Sequence, residues 1–213
     1  MSGTLQIDVV HADAACVVVV KPAGLLSVPG RGEHLSDCAA ARVQARFGDA
    51  LIVHRLDMAT SGLLLFARGV AAQRVLSVAF AQRQVHKRYV AVVDGLVERD
   101  TGEIDLPLIA DWPNRPLQKV DRDHGKPSLT RYRVLARDTA AHTSRLDLEP
   151  VTGRAHQLRV HLQGIGHTIL GDALYATPSV QARAARLLLH ASELRFMHPV
   201  SGAASHFASA APF

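Results

Sequence analysis

The sequence predicts an α+β fold built on a mixed, mainly antiparallel sheet flanked by helices and loops, and three observations carry that expectation. Apolar runs of strand length recur without strict alternation with helices, at residues 16–20, 52–53 and 63–66. Residues 128–136 and 143–149 alternate apolar and polar side chains well enough to form a paired hairpin. Few stretches have helical spacing, the clearest being residues 70–84 with Val75, Leu76, Ala79 and Phe80 on an apolar stripe. With 48% apolar and 20% charged residues over 213 positions, the chain has an ample core and is no disordered polymer. It shows no internal repeat and no linker, so one domain over residues 1–213 is expected.

Taken in order, residues 5–10 and 16–20 read as two strands around the turn His11-Ala12-Asp13. Pro22, Gly24, Pro29 and Gly30 make residues 21–30 a shaped loop, continued in polar form to His34. A helix over residues 37–46 is signalled by Ser36 or Asp37. The stretch LIVHRLDMATSGLLLFAR, residues 51–68, sets a polar knot between two buried strands. Residues 87–93 form a strand ended by Asp94-Gly95, and residues 104–109 a strand that Pro107 confines to an edge. Residues 111–126 have no periodicity. A loop of that length is functional or disordered, and a disordered linker rarely carries a chain's only Trp, here Trp112. Thr152-Gly153-Arg154 leads into a helix over residues 155–164 that Gly164 and Gly166 terminate. A turn at residues 171–175, a short helix at 179–186 and strands at 187–196 and 201–208 complete the chain.

The charge balance is basic, with 24 Lys and Arg against 19 Asp and Glu, a net charge of +5 and a pI near 9.7. Such an Arg-rich surface favours a polyanionic partner. Cys16 and Cys38 are too few for a disulfide framework or a cysteine metal site. No run approaches the roughly 18 apolar residues of a membrane span, and residues 1–13 lack the pattern of a signal peptide. A cytoplasmic protein with no membrane partner is expected.

Several common chemistries find no motif. There is no phosphate-binding glycine loop, no GxSxG elbow and no HExxH or CxxC. His156 and His161 are five apart, which does not place two ligands on one helix face, so no metal is expected. What remains is Arg55 and Asp57 in the knot, Tyr89 after a basic cluster, and Arg154 at a helix start. Thr60, Ser61 and Gly62 are what a turn needs. Arg55 and Asp57 are charges at the rim of a core, either a turn-capping Asp with its paired Arg or a working pair. Arg154 reads equally as a cation that keeps a carboxylate ionised or as a phosphate-binding Arg, and Tyr89 as a core aromatic or a stacking surface for a base.

HRLDMATSGLLLFAR resembles the signature of the RluA family of pseudouridine synthases. The likeness continues through Lys87-x-Tyr89, through Thr152-Gly153-Arg154-Ala155-His156-Gln157-Leu158-Arg159-Val160-His161, and through Leu170-Gly171-Asp172 and Leu188-Leu189-His190-Ala191, in the family's order. The segment DWPNRPLQKV, residues 111–120, is similar to one branch of that family. Like that branch, the chain begins at the catalytic domain, and no small S4-like RNA-binding domain is expected. Ala155 departs from the family's usual Ser, a small residue for a small one.

The resemblance implies the pseudouridine synthase fold, with an active-site cleft across the sheet, and isomerisation of uridine to pseudouridine in structured RNA without cofactor or metal. Carried over residue by residue, it implies Asp57 as the catalytic aspartate, Tyr89 as the ring on the uracil that assists loss of the C5 proton, and Arg154 as the partner of Asp57. Leu189 would pack on the base opposite Tyr89. Arg55 would fill the stack that a flipped uridine leaves, with His54 and Thr60 among the substrate contacts. Arg115, Lys119, Arg122 and Lys126 would meet phosphates. The branch implies stem-loops of 23S rRNA and a tRNA anticodon arm as substrates, and a monomer. Two other readings stay open: an RNA-binding or RNA-folding protein with the same fold and little turnover, and a nucleoside hydrolase. The hydrolase needs a second carboxylate, for which Glu33 and Asp172 are the loose candidates.

Overall fold

In a computed structural model that describes residues 6–30, 32 and 35–213, the chain is α+β. The order is β1 (Asp8–Ala12), β2 (Cys16–Lys21), α1 (Ala39–Arg46), β3 (Ala50–Ile52), β4 (Ser61–Arg68), α2 (Gly69–Ala81), β5 (His86–Asp94), β6 (Thr101–Asp105), β7 (Leu108–Ala110), β8 (Gln118–Val120), β9 (Leu129–Asp138), β10 (Thr143–Pro150), α3 (Gln157–Gly164), α4 (Pro178–Gln181), β11 (Leu189–Met197) and β12 (Ala204–Ala208). The chain divides into two compact units. One runs to Lys87 and includes Ala191–Pro212, and the other is Arg88–His190 with Phe213.

In the first unit β1, β2, β4 and β11 are neighbours in that order, β3 adds to β4 and β12 to β11. β2 pairs antiparallel with β4, Val18 opposite Leu65. Val17, Val18, Val19, Leu64, Leu65 and Phe66 are fully buried, as unbroken apolar runs require of strands covered on both faces. α2 lays Ala72 and Leu76 on Leu63, Leu65 and Ala67 of β4, with Ala79 and Phe80 at the margin. Val75, expected on that stripe, is 49% exposed. Positions 72, 76, 79 and 80 already fill one helical face, and 75 falls outside it. The first helix also starts later than expected. Ala39 and Ala40 give their N–H groups to Leu26 O (2.7 Å) and Ser27 O (3.1 Å), Cys38 Sγ caps Ala41 N–H, and Asp37 pairs with Arg42 instead.

In the second unit the order is β5, β10, β9, β6, with β6 at the edge. The β9–β10 hairpin is the expected one. The strand expected over residues 104–109 is two: β6 ends at Asp105 and β7 begins at Leu108, because Pro107 has no N–H for a ladder. The stretch without periodicity is ordered. It folds as a separate β7–β8 hairpin around a short 3-10 turn, Trp112–Asn114. α3 begins at Gln157, two residues late, because His156 has a left-handed φ of 53°. The expected helix at residues 179–186 shrinks to α4, and the last strand starts at Ala204, residues 198–203 being spent on a turn.

Candidate active site

The first unit supplies Asp57, Arg55, His54 and Thr60, all in the loop between β3 and β4. That loop is held through its backbone. Ser27 Oγ donates to Leu56 O at 2.7 Å and accepts Leu56 N–H at 3.0 Å, so the residue before Asp57 is fixed on both sides of its peptide. Met58, the residue after, has its carbonyl on Gly24 N–H (2.8 Å) and Lys21 Nζ (3.1 Å). Lys21 is fully buried, and its ammonium also donates to Pro22 O and Leu25 O at 2.9 and 2.8 Å. A buried ammonium persists only when its protons are matched by acceptors, and three carbonyls provide them. Sequence reasoning saw a shaped loop at residues 21–30 but not that it cradles residues 56–58.

The knot closes with Thr60 N–H on Asp57 O at 3.1 Å, and the Thr60 side chain is buried. Gly62 has a φ of +115°, and a Cβ there would lie 2.3 Å from Ala191 O, so only glycine fits. Arg55 is exposed and Asp57 half-buried. His54 lies stacked on Phe80, with centroids 4.5 Å apart, and its Nε2 accepts Leu65 N–H at 3.0 Å. Since β3 stops at Ile52, this ring replaces the next strand carbonyl on β4. Desolvation, then the Lys87 ammonium, pushes its pKa down to about 3, so the imidazole is neutral with its proton on Nδ1. Burial lowers the Lys87 pKa as well.

The second unit supplies Tyr89, Arg154, Leu189 and the four basic residues. Tyr89, half-buried on β5, stands opposite Leu148 of β10. Leu189 is buried on β11. Arg154 is exposed at the mouth of α3, with its guanidinium 3.4 Å from Pro127 O. Its backbone is set by Gln157, whose buried amide oxygen accepts Arg154 N–H (3.0 Å) and the Thr152 hydroxyl (2.7 Å), while its NH2 donates to Leu129 O and Thr130 Oγ1. Gln157 and Thr152 therefore position the Arg154 turn. Sequence reasoning missed both, and the signal available was the pattern Thr-Gly-Arg-x-x-Gln, since a buried amide beside a turn needs such partners.

The histidines and acids near this turn are structural. His161 accepts the Thr130 hydroxyl on Nδ1 and donates Nε2–H to Leu106 O, both at 2.9 Å, and burial lowers its pKa. Asp172 is fully buried and takes a two-point contact from Arg159 at 2.8 and 2.6 Å, so it is no second catalytic acid. Glu33 lies outside the described residues. His11, Asp13 and Cys16 cluster at the β1–β2 turn, but hydrogen bonds account for them. Against the upward pull of burial, donors from Ala15, His11, Cys16 and His198 hold the Asp13 carboxyl well below its usual range, and burial pushes the Cys16 thiol up to about 12.

All four basic residues lie on or beside the β7–β8 hairpin. Arg115, Lys119, Arg122 and Lys126 are exposed, and Lys126 pairs its backbone with Leu108. Asp111, Asp121 and Asp123 share the segment, so its charge is less one-sided than four cations suggest. Asp121 spends its carboxylate on the N–H groups of Asp123 and His124.

The first unit thus holds an aspartate loop fixed through its backbone with an exposed arginine two residues before the aspartate, and the second unit a hairpin with exposed cations, features that suit a polyanionic partner. Residues 15–164 match the family model described as RNA pseudouridylate synthase. The chain belongs to that family and is an RNA pseudouridine synthase, an isomerase. Among its relatives, the "Dual-specificity RNA pseudouridine synthase RluA" of Pasteurella multocida is 50% identical over 92% of this chain and 89% of that protein. The protein of the same name from Escherichia coli K12 is 49% identical over 96% and 93%. Among solved structures, "Human RNA Pseudouridylate Synthase Domain Containing 1" superposes with a TM-score of 0.83 at 28% identity, covering 100% of this chain and 87% of that one.

Proposed function

We propose that the chain converts specific uridines to pseudouridine in stem-loops of 23S rRNA and of a tRNA anticodon arm, with Asp57 as the essential residue. It does so by flipping the target base, as a monomer in the cytoplasm and without metal or cofactor. The observation that carries this reading is the grip on residues 56–58 by Ser27, Gly24 and Lys21, which fixes the backbone on either side of Asp57. A carboxylate that must meet one sugar or base atom gains most from such a pre-set backbone. The relatives' name, dual-specificity, supports two classes of RNA substrate.

The chemistry breaks the N1–C1′ bond, turns the uracil and joins C1′ to C5. C5 loses a proton, N1 gains one, and no atom is lost. Tyr89 is the aromatic beside the uracil, Arg154 the cation of the reaction, and Leu189 the apolar contact on the base. Arg55 enters the gap in the stack, offsetting a flipping cost of about a few kcal/mol, with His54 and Thr60 shaping the loop that presents it. The test is a map of pseudouridines in rRNA and tRNA from cells lacking this protein. At least one site in each class is expected to disappear and to return with the wild-type chain but not with Asp57→Ala. A map with no missing site, or restoration by Asp57→Ala, overturns the reading.

A further inference from the structure

Trp112, the chain's only tryptophan, is 63% exposed on the β7–β8 hairpin. A tryptophan kept for packing buries most of its area, and this one does not. One face is covered by the Arg115 guanidinium, 3.5 Å from the ring centroid. The turn that carries Trp112 is closed by two hydrogen bonds. Asp111 accepts the Asn114 side-chain N–H at 2.9 Å across the 3-10 turn, and Asn114 N–H returns to Asp111 O at 3.0 Å.

The hairpin itself is anchored. Leu108, with Leu117 and Val120 at the margin, packs on Val160 of α3 and on Tyr175. The Tyr175 hydroxyl accepts Gln118 N–H at 2.9 Å and meets His156 Nδ1 at 2.6 Å. His156 is two residues from Arg154, so the exposed ring rides on the same packed element as the Arg154 turn.

We propose that Trp112, backed by Arg115, is a stacking platform for an unpaired nucleobase of the substrate RNA, and so a specificity-determining residue. An exposed indole with a guanidinium over one face offers its other face to a base, and Lys119 on the same hairpin suits the adjoining phosphate. A duplex hides its base faces, so the platform selects loops over stems. The proposal rests on the reading of this chain as an RNA-modifying enzyme and adds a contact that is not part of the chemistry.

Being the only tryptophan, Trp112 reports on itself. The test uses the full chain as Asp57→Ala, a fluorescein-labelled RNA stem-loop with uridines in its loop, and a fully paired RNA duplex. Binding is followed by anisotropy and stacking by tryptophan quenching. The stem-loop is expected to quench and the duplex not to. Adding Trp112→Ala should weaken stem-loop binding on the order of tenfold, while Trp112→Phe keeps most of it. In the active enzyme, Trp112→Ala should raise KM and leave kcat near the wild-type value. Stem-loop binding without quenching, or Trp112→Ala binding within twofold of its parent, overturns the platform and leaves the activity reading intact. Binding to neither RNA overturns both. Full turnover by Asp57→Ala, with quenching present, overturns only the catalytic assignment.

Discussion

The Asp57 loop and the Trp112 hairpin are both irregular segments between strands, and they are held in opposite ways. Around Asp57 the contacts go to backbone. Ser27 takes both ends of Leu56, Lys21 and Gly24 hold the Met58 carbonyl, and Gly62 lies against Ala191 with no room for a methyl. Around Trp112 the anchors are the contacts of the hairpin with Tyr175 and Val160, and the side chains of Trp112, Arg115 and Lys119 are exposed. The difference teaches which tolerance each task needs. Bond making at one atom suffers from a shift of an ångström, whereas stacking and phosphate contact tolerate side-chain adjustment. Substitutions among the residues that hold the loop should therefore damage fold and turnover together, and those in the hairpin should change RNA binding alone.

The largest effect expected is from Gly62→Ala. Its Cβ would sit 2.3 Å from Ala191 O at a φ of +115°, so the two strands must part. The variant should give little soluble folded protein, judged by circular dichroism, and a normal melting curve would break the comparison at once. Next is Lys21→Met, which takes the ammonium from the carbonyls of Pro22, Leu25 and Met58, the last of which keeps Gly24 N–H. A loss of about 3 kcal/mol is expected from denaturant midpoints, with a lowered kcat in the protein that remains folded.

His54→Gln tests the neutral imidazole. A histidine whose folded pKa lies below its unfolded value stabilises fully above the unfolded pKa, and that stability falls with pH until the folded pKa is reached. For His54 the window runs from the ordinary imidazole range down to about 3. The wild type should lose about 1.4 kcal/mol per pH unit through this group below roughly pH 6. His161 adds a fall of the same sign, since burial lowers its pKa too. Glutamine can still accept Leu65 N–H and cannot titrate, so urea unfolding of the variant should show a slope shallower by one proton. An unchanged slope contradicts the neutral ring. The smallest effect belongs to the hairpin. Lys119→Ala should lower the slope of log binding constant against log salt by about 0.7 to 0.9 and leave kcat and melting untouched.

Much of this was legible in sequence, for identifiable reasons. Val17–Val19 and Leu64–Phe66 announced doubly covered strands because nothing polar interrupts them. HRLDMATSG announced a turn holding two charges. The hairpin β7–β8 was not legible, because three-residue strands separated by Pro113, Pro116 and a 3-10 turn leave no period to read. The α1 start was misplaced because tertiary acceptors at Leu26 and Ser27, not Asp37, take its first N–H groups. Lys21 is legible only as the first residue of a shaped loop. Only the fold shows three carbonyls converging on it, and no local pattern encodes that.

The central claim, that the fixed loop exists to present Asp57, is tested most directly by tritium release from C5-labelled uridine in an RNA stem-loop. The wild-type chain should release tritium without free uracil. Asp57→Ala should release none above background while it melts like the wild type and binds the same RNA. Release by Asp57→Ala at a wild-type rate, or free uracil from the wild-type reaction, would contradict the account.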